Sequence, residues 1–133
     1  MPVRPLYKSP NAKVKFVRSE SFDLDNGAGT TIDRVVLRSS KQVEITTARI
    51  VYEDATTGTV AAGNALIGTT VGGSEIVAAT AYGNAKAVGT ITAMTLVLGT
   101  IPANTPIIVR HTGVAATQAG RAHIEIEYNV WDD

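Results

Sequence analysis

The two histidines and the acidic side chains near the carboxyl end are the residues whose types and spacing come closest to a metal site. The run His123-x-Glu125-x-Glu127 would project three possible ligands from one face of a strand, roughly 7 Å apart at successive positions. A metal ion needs a further ligand from a second element, and His111 is the only other histidine. A solvated polar face explains the same run more simply. We therefore predict no metal ion and no cofactor.

Other patterns that could carry catalysis are incomplete. The run DLDNG at 23–27 has the start of a calcium loop, but Arg34 and Val35 stand where a closing glutamate would be needed. We predict a turn there instead. The glycines of 83–89 lack the lysine of a phosphate-binding loop, and the chain has no cysteine and no Gly-x-Ser-x-Gly motif. We expect no enzyme and no small-molecule substrate, although carboxylates distant in sequence can meet in space, so a hydrolase remains an alternative.

Length and composition predict one domain without disulfides or membrane spans. The chain has 133 residues and no cysteine, which is long enough to bury a core without covalent staples. No run approaches the roughly 20 apolar residues that a membrane helix requires. The start, MPVRP, lacks the apolar segment of a signal peptide. We expect synthesis in a cytoplasm and no membrane partner.

Charge is balanced in total but divided along the chain. The chain has twelve basic and twelve acidic residues. This zero net charge argues against a nucleic-acid partner. Residues 1–19 carry five basic residues and no acidic one, whereas residues 55–120 carry only Glu75, Lys86 and Arg110. Soluble domains normally spread charge over about a quarter of their residues. The neutral middle is therefore either the buried half of a small domain or a subunit interface.

The last segment predicts its secondary structure most clearly. Residues 121–131 alternate between apolar and polar side chains over eleven positions, the pattern of a half-buried strand. Tyr128 falls in the apolar phase and Trp131 in the polar one. Residues 42–54 form a second long strand whose apolar phase switches near Thr46 and Thr47, which predicts a β-bulge.

The remaining segments predict an all-β domain. Turn signals recur about every 8–12 residues, as in sandwiches and barrels. We expect strands within the ranges 13–24, 32–38, 65–70, 76–80, 87–98 and 106–112. The alanine-rich residues 77–88 read as strand–turn–strand, and residues 114–119 as a loop or a short helical turn. The predicted fold is an antiparallel β-sandwich of jelly-roll type, with a small β-barrel or a β-tulip as the alternative.

An extended arm precedes this domain. Residues 1–12 hold three of the five prolines, which fix φ and remove amide donors. We therefore divide the chain into an N-terminal arm, residues 1–12, and one β-domain, residues 13–133. The arm is either a frayed terminus or a cationic and aromatic grip that a partner orders. The candidate partner-binding residues are Arg4, Leu6, Tyr7, Lys8, Lys13, Lys15 and Trp131.

The second half of the chain resembles small structural proteins of tailed bacteriophages, especially head decoration (cement) proteins. The resemblance lies in the texture of the sequence from Thr69 onward and in runs such as VRHTGVAATQAG at 109–120. It implies a compact β-domain on the outer surface of a phage capsid, as a homo-oligomer, most often a trimer. It further implies a role in fastening neighbouring major capsid subunits together, without catalysis.

Two other classes of function remain open at this point. Another virion component, such as a neck, tail or fibre protein, shares the same texture. A carbohydrate-binding β-sandwich would need an aromatic platform. The only candidates for such a platform in this chain are Tyr52, Tyr82, Tyr128 and Trp131.

Overall fold

The structure is a computed structural model that describes residues 7–8, 14–58, 60–115 and 119–132. Within these ranges the chain forms strands joined by turns and loops, and no helix is long and apolar enough to cross a membrane. The strands are β1 (Tyr7–Lys8), β2 (Lys15–Arg18), β3 (Phe22–Asp23), β4 (Thr31–Arg38), β5 (Val43–Thr57), β6 (Asn64–Gly68), β7 (Val77–Ala81), β8 (Ile91–Met94), β9 (Thr100–Ile101), β10 (Pro106–Thr112) and β11 (Ala119–Asp132).

The strands form two antiparallel sheets that face each other. In the larger sheet β11 and β5 lie side by side at the centre. The free side of β11 takes up β1, β2 and β3, and the free side of β5 takes up β8 and β9. The smaller sheet has the order β4-β10-β6-β7. The two sheets do not close into a barrel, so the predicted antiparallel β-sandwich is confirmed and the barrel alternative is wrong.

The core lies between the sheets and follows from alternation along each strand. On β11 the apolar set Ala122, Ile124 and Ile126 is buried, as its spacing predicts. Facing strands of the smaller sheet contribute Ile67 and Val109, which are fully buried. Burial of large apolar side chains is the main favourable contribution to the free energy of folding. The largest fully buried side chains are Tyr52, Tyr82, Leu24, Ile50, Ile67, Ile76, Ile101, Ile107, Ile124, Ile126, His111 and Val43.

A β-bulge in β5 changes which of its side chains face the core. Thr47 lies opposite Glu127 and Ile45 lies opposite Tyr128, so Thr46 has no residue opposite it. The extra residue reverses the phase, and buried positions pass from odd numbers (Ile45) to even numbers (Ala48). The predicted bulge is therefore confirmed. It lets one long strand keep its apolar side chains inside despite the switch in the sequence.

The two flanks of the sandwich are closed differently. On one flank β2 runs beside β4, where the guanidinium of Arg34 donates to the carboxylate of Glu20 at 3.1 Å. On the other flank an isolated antiparallel bridge joins Val77 to Leu96. An ion pair thus joins the two sheets on the first flank, and a bridge between uncharged residues joins them on the second.

The strand predicted at 87–98 is shorter in the structure. Gly89 has a φ of +84°, a left-handed conformation that ends a turn rather than continuing a strand. β8 therefore begins only at Ile91 and ends at Met94. Leu96 then crosses to the smaller sheet instead of extending β8 along β5.

Candidate docking surface

The outer edge of β11 brings together four of the seven predicted partner-binding residues. Tyr7 lies opposite Asp132, and Lys8 lies opposite Trp131. Lys15 lies opposite Tyr128 further along the same strand. Antiparallel pairing therefore places β1 and β2, which contribute Lys8 and Lys15, beside the last residues of β11. The other three predicted residues, Arg4, Leu6 and Lys13, lie outside the described residues.

Apolar side chains accompany this basic edge. Val14 is 60% exposed and Phe16 is 51% exposed. Phe16 covers the guanidinium of Arg49, whose Cζ atom is 5.7 Å from the ring centroid. A cation beneath an aromatic face attracts the ring and favours this position of Phe16. Trp131 is half-buried, and its main-chain N–H donates to the carbonyl of Gln42 at 2.8 Å.

An ionic network occupies the outer face of the larger sheet. Arg49 on β5 donates to Glu125 at 2.9 Å and to Glu127 at 3.1 Å, both on β11. The hydrogen bond to Glu125 and then that to Glu127 raise the pKa of Arg49 above its ordinary value. One guanidinium thus binds two carboxylates that stand two residues apart on a strand. Arg49 was not identified from the sequence. Its position on β5 alternates with the buried residues, so its side chain points outward.

His123 lies at the centre of the same network and is buried rather than solvated. Its Nδ1 atom is 2.9 Å from a carboxylate oxygen of Glu53, and its Nε2 atom is 2.8 Å from one of Glu125. Burial raises the pKa of each glutamate, but hydrogen bonds outweigh burial and the net pKa is lowered. Ser21 and His123 supply these bonds for Glu53, and His123 and Arg49 for Glu125. The expectation of a fully solvated polar face is wrong at His123, because neighbouring side chains cover it.

His111 belongs to the core of the sandwich instead. It is fully buried and stacks on Phe22, with ring centroids 5.0 Å apart and an interplanar angle of 11°. Its Nδ1 atom lies 2.6 Å from the hydroxyl of Tyr82, and its Nε2 atom lies 3.1 Å from Oδ1 of Asn26. Burial lowers the pKa of His111 to about 4, although Asp23 acts in the opposite direction.

The two histidines therefore do not converge on one site. His111 points into the core from the smaller sheet, whereas His123 lies on the outer face of the larger one. Among the described residues, no group of three or more His, Cys, Asp or Glu side chains is arranged to hold a metal ion. The turn predicted within the DLDNG run forms directly after Asp23, the last residue of β3. Asp23 is paired with Arg121 at 3.1 Å.

The aromatic residues do not form an exposed platform for a sugar. Tyr52 and Tyr82 are fully buried, and Tyr128 packs against the core. The hydroxyl of Tyr52 accepts a hydrogen bond from the main-chain N–H of Gly83 at 2.8 Å. Three of the four candidate aromatics are thus structural, and the fourth, Trp131, is half-buried.

An uncharged pocket of about 280 Å³ opens at the end of β10. Small side chains and glycine backbone line it, and none of them carries a charge. The turn at Gly27 and Gly29 forms one wall, because their N–H groups donate to the carbonyls of Val114 and Gly113. The lining residues are Ala28, Gly29, Ala62, Thr112, Gly113, Val114 and Ala115.

Comparison with known proteins gives one similarity of fold. No protein-family model matches the chain. No curated protein matches its sequence. Among solved structures, the chain is similar to one from the "Cyanophage Pam1 capsid asymmetric unit", with a TM-score of 0.59 and 15% sequence identity. The similarity covers 98% of this chain and 93% of the other. The two chains therefore share a fold over nearly their whole lengths.

Proposed function

We propose that this chain is a non-enzymatic structural protein of a phage virion, and more specifically a head decoration protein. In this role it binds the outer surface of the capsid and joins neighbouring major capsid subunits. The observation that carries the proposal is the fold shared, over 98% of the chain, with a chain of the Pam1 capsid asymmetric unit. The resemblance of residues 69–130 to decoration proteins supports it independently.

The proposed contact with the major capsid protein is the edge formed by β1, β2 and the end of β11. This edge presents Lys15 and the exposed side chains of Val14 and Phe16. Apolar side chains next to cations fit a partner surface that carries carboxylates around an apolar centre. The remaining residues proposed to bind there are Arg4, Leu6, Tyr7, Lys8, Lys13 and Trp131.

The geometry supports a contact surface that is already ordered before the partner binds. β2 is hydrogen-bonded to β11, and Phe16 is held over Arg49. A surface that is ordered before binding loses less side-chain entropy when it binds. A decoration protein that binds the assembled shell and not its separated subunits stabilises the shell by mass action. Repetition around a symmetric particle strengthens this effect through avidity.

Charge reversal tests the proposed edge. The variant carrying Lys8→Glu, Lys13→Glu and Lys15→Glu should bind capsids lacking this protein at least about tenfold more weakly in co-sedimentation, which corresponds to about 1.4 kcal/mol. Lys86→Glu is the control for a single charge reversal away from this edge, because Lys86 lies near Thr56, at the opposite end of β5 and β11 from Lys8. Equal binding by the triple variant and the control would refute this edge. Absence of wild-type binding to heads, with binding to tails, would refute decoration.

The number of copies in one assembly is part of the proposal. The resemblance predicts a homotrimer located in the virion, on the capsid surface, after synthesis in the host cytoplasm. The solution mass of the purified protein by light scattering tests the trimer, and a mass that is a multiple of three chains is the expected result.

A further inference from the structure

The flank formed by β7, β8, β9 and their connections differs from the rest of the surface. Residues 77–101 contain a single charged residue, Lys86. Four large apolar side chains are exposed on this stretch, and two of them, Val88 and Val97, are each 68% exposed. The other two are Ile91 at 60% and Leu98 at 43%. Several exposed apolar side chains on a nearly uncharged stretch are typical of an interaction surface.

β8 is an edge strand whose outer main-chain groups are open. In the described residues it pairs with β5 alone. The N–H of Tyr52 donates to the carbonyl of Thr90, so the even-numbered residues of β5 direct their main-chain groups toward β8. Their partners Thr92 and Met94 are satisfied by β5. By the alternation of antiparallel pairing, the N–H and C=O groups of Ile91 and Ala93 point away from the sheet.

This edge has none of the features that usually prevent pairing with another strand. Residues 91–94 read Ile-Thr-Ala-Met and contain no proline and no charge. The register between β8 and β5 is regular through four consecutive pairs, without a bulge. Natural proteins block such edges with lysine, proline or bulges when pairing would be harmful.

We propose that β8 pairs with β8 of a second copy of this chain across a twofold axis at Thr92. Antiparallel pairing about that axis sets Ile91 of each copy opposite Ala93 of the other. The outward main-chain groups of these two residues then form hydrogen bonds in both directions. A large side chain meets a small one on the outer face, and two threonines meet on the inner face, a favourable cross-strand pair.

The buried area is consistent with a modest self-association. At roughly 80 Å² of apolar surface for each exposed side chain, burial of all four in both copies would remove at most about 640 Å² from water. Main-chain and alanine surface along β8 adds to this value. The total lies in the class of small interfaces, below about 1,200 Å², which is typical of weak and transient complexes. A second copy supplies the same neutral surface and the same open edge, so no charged partner is required.

A twofold contact has a consequence for the number of chains. It joins assemblies in pairs, so the mass in solution must correspond to an even number of chains. Two chains are expected for an otherwise monomeric protein, and six if the proposed trimer also forms. The inference does not rest on capsid binding, because it is measured on the purified protein alone.

Light scattering on purified protein up to about 300 µM tests the pairing, a range that covers micromolar association. Wild type should reach a mass of two or six chains, and Ile91→Lys should halve it. Val35→Lys is the matched control, because Val35 is 62% exposed on β4 at the other flank and its substitution should leave the mass unchanged. Ala93→Pro removes only an outward N–H and should also halve the mass.

The contrary results are equally specific. A wild-type mass of one or three chains at the highest concentration would overturn the pairing. So would an even mass that persists in folded Ile91→Lys or Ala93→Pro, or that is lost equally in Val35→Lys. Far-UV circular dichroism identifies folded variants. Capsid co-sedimentation of the same samples reports separately on decoration.

Discussion

The hydroxyl of Tyr82 lies 2.6 Å from Nδ1 of His111 in the centre of the sandwich. The opposite ring nitrogen, Nε2, lies 3.1 Å from Oδ1 of Asn26, which can only accept. These partners fit a neutral imidazole that carries its proton on Nε2 and accepts the proton of Tyr82 at Nδ1. The histidine therefore joins the β3–β4 turn to the β7–β8 connection without bringing a charge into the core.

The stability of the domain should fall as pH decreases between about 6.5 and about 4. The pKa of His111 is lowered from 6.5 to about 4 by burial, so in this window the unfolded chain binds a proton that the folded chain does not. The unfolding free energy should lose about 3 kcal/mol across the window through His111, and the lowered pKa values of Glu53 and Glu125 add a further loss at lower pH. Urea unfolding at several pH values measures the effect.

The variant His111→Gln is the control for that experiment. It removes the titrating group, so its unfolding free energy should change less than that of wild type over the same window. Equal pH dependence in both proteins would show that His111 is not the group responsible.

Tyr82→Phe should destabilise the domain by about 1–2 kcal/mol, because it leaves Nδ1 of buried His111 without its donor. Tyr128→Phe makes the same chemical change at a half-buried position and should cost less. Thermal or urea unfolding of both variants measures the difference. A smaller effect at Tyr82 than at Tyr128 would contradict the hydrogen bond.

Gly113→Ala should be among the more damaging substitutions of a glycine. A β-carbon there would collide with Oδ1 of Asn26, the acceptor of His111, and we expect a loss of about 3 kcal/mol. Gly29→Ala is the comparison, because Gly29 has a φ of +71° but open space around it. Backbone strain alone should cost about 1 kcal/mol there. Equal losses of unfolding free energy would refute the collision.

Arg49→Lys should weaken the outer face of the larger sheet. A lysine cannot reproduce the two directed bonds that Arg49 makes to Glu125 and Glu127, and we expect a loss of about 1 kcal/mol in unfolding free energy. Arg38→Lys, at the exposed end of β4, is the control. The difference between the two variants should shrink in 1 M salt, where charge interactions are screened. A difference that is absent at low salt would argue against the network.

The fold was readable from sequence where one face of a strand is apolar. The period of two in β11 and the phase switch at Thr46 are both local patterns. The first predicted a half-buried strand and the second a β-bulge, and both are present in the sheet. The length of β8 was not readable, because its end is set by Leu96 bridging to Val77 on the other sheet. Such a contact joins residues of two sheets, and it produces no periodic pattern in the sequence of either segment.

The candidate site was only partly readable. The sequence identified the basic start of the chain and Trp131, and pairing of Lys8 with Trp131 places them on one edge. The burial of His123 was missed, since Glu53 and Glu125 cover it from strands whose alignment sequence alone does not give. Arg49 escaped notice for the same reason. Long-range side-chain networks depend on register, which a single sequence specifies weakly.

Cryo-electron microscopy of capsids lacking this protein, incubated with the purified chain, tests the central claim most directly. Decoration predicts ordered density with the shape of the sandwich on the outer surface, at junctions between neighbouring major capsid subunits. The β1–β2 edge should face the shell. Bare capsids at saturating protein concentration, or density confined to the neck or tail, would contradict the assignment.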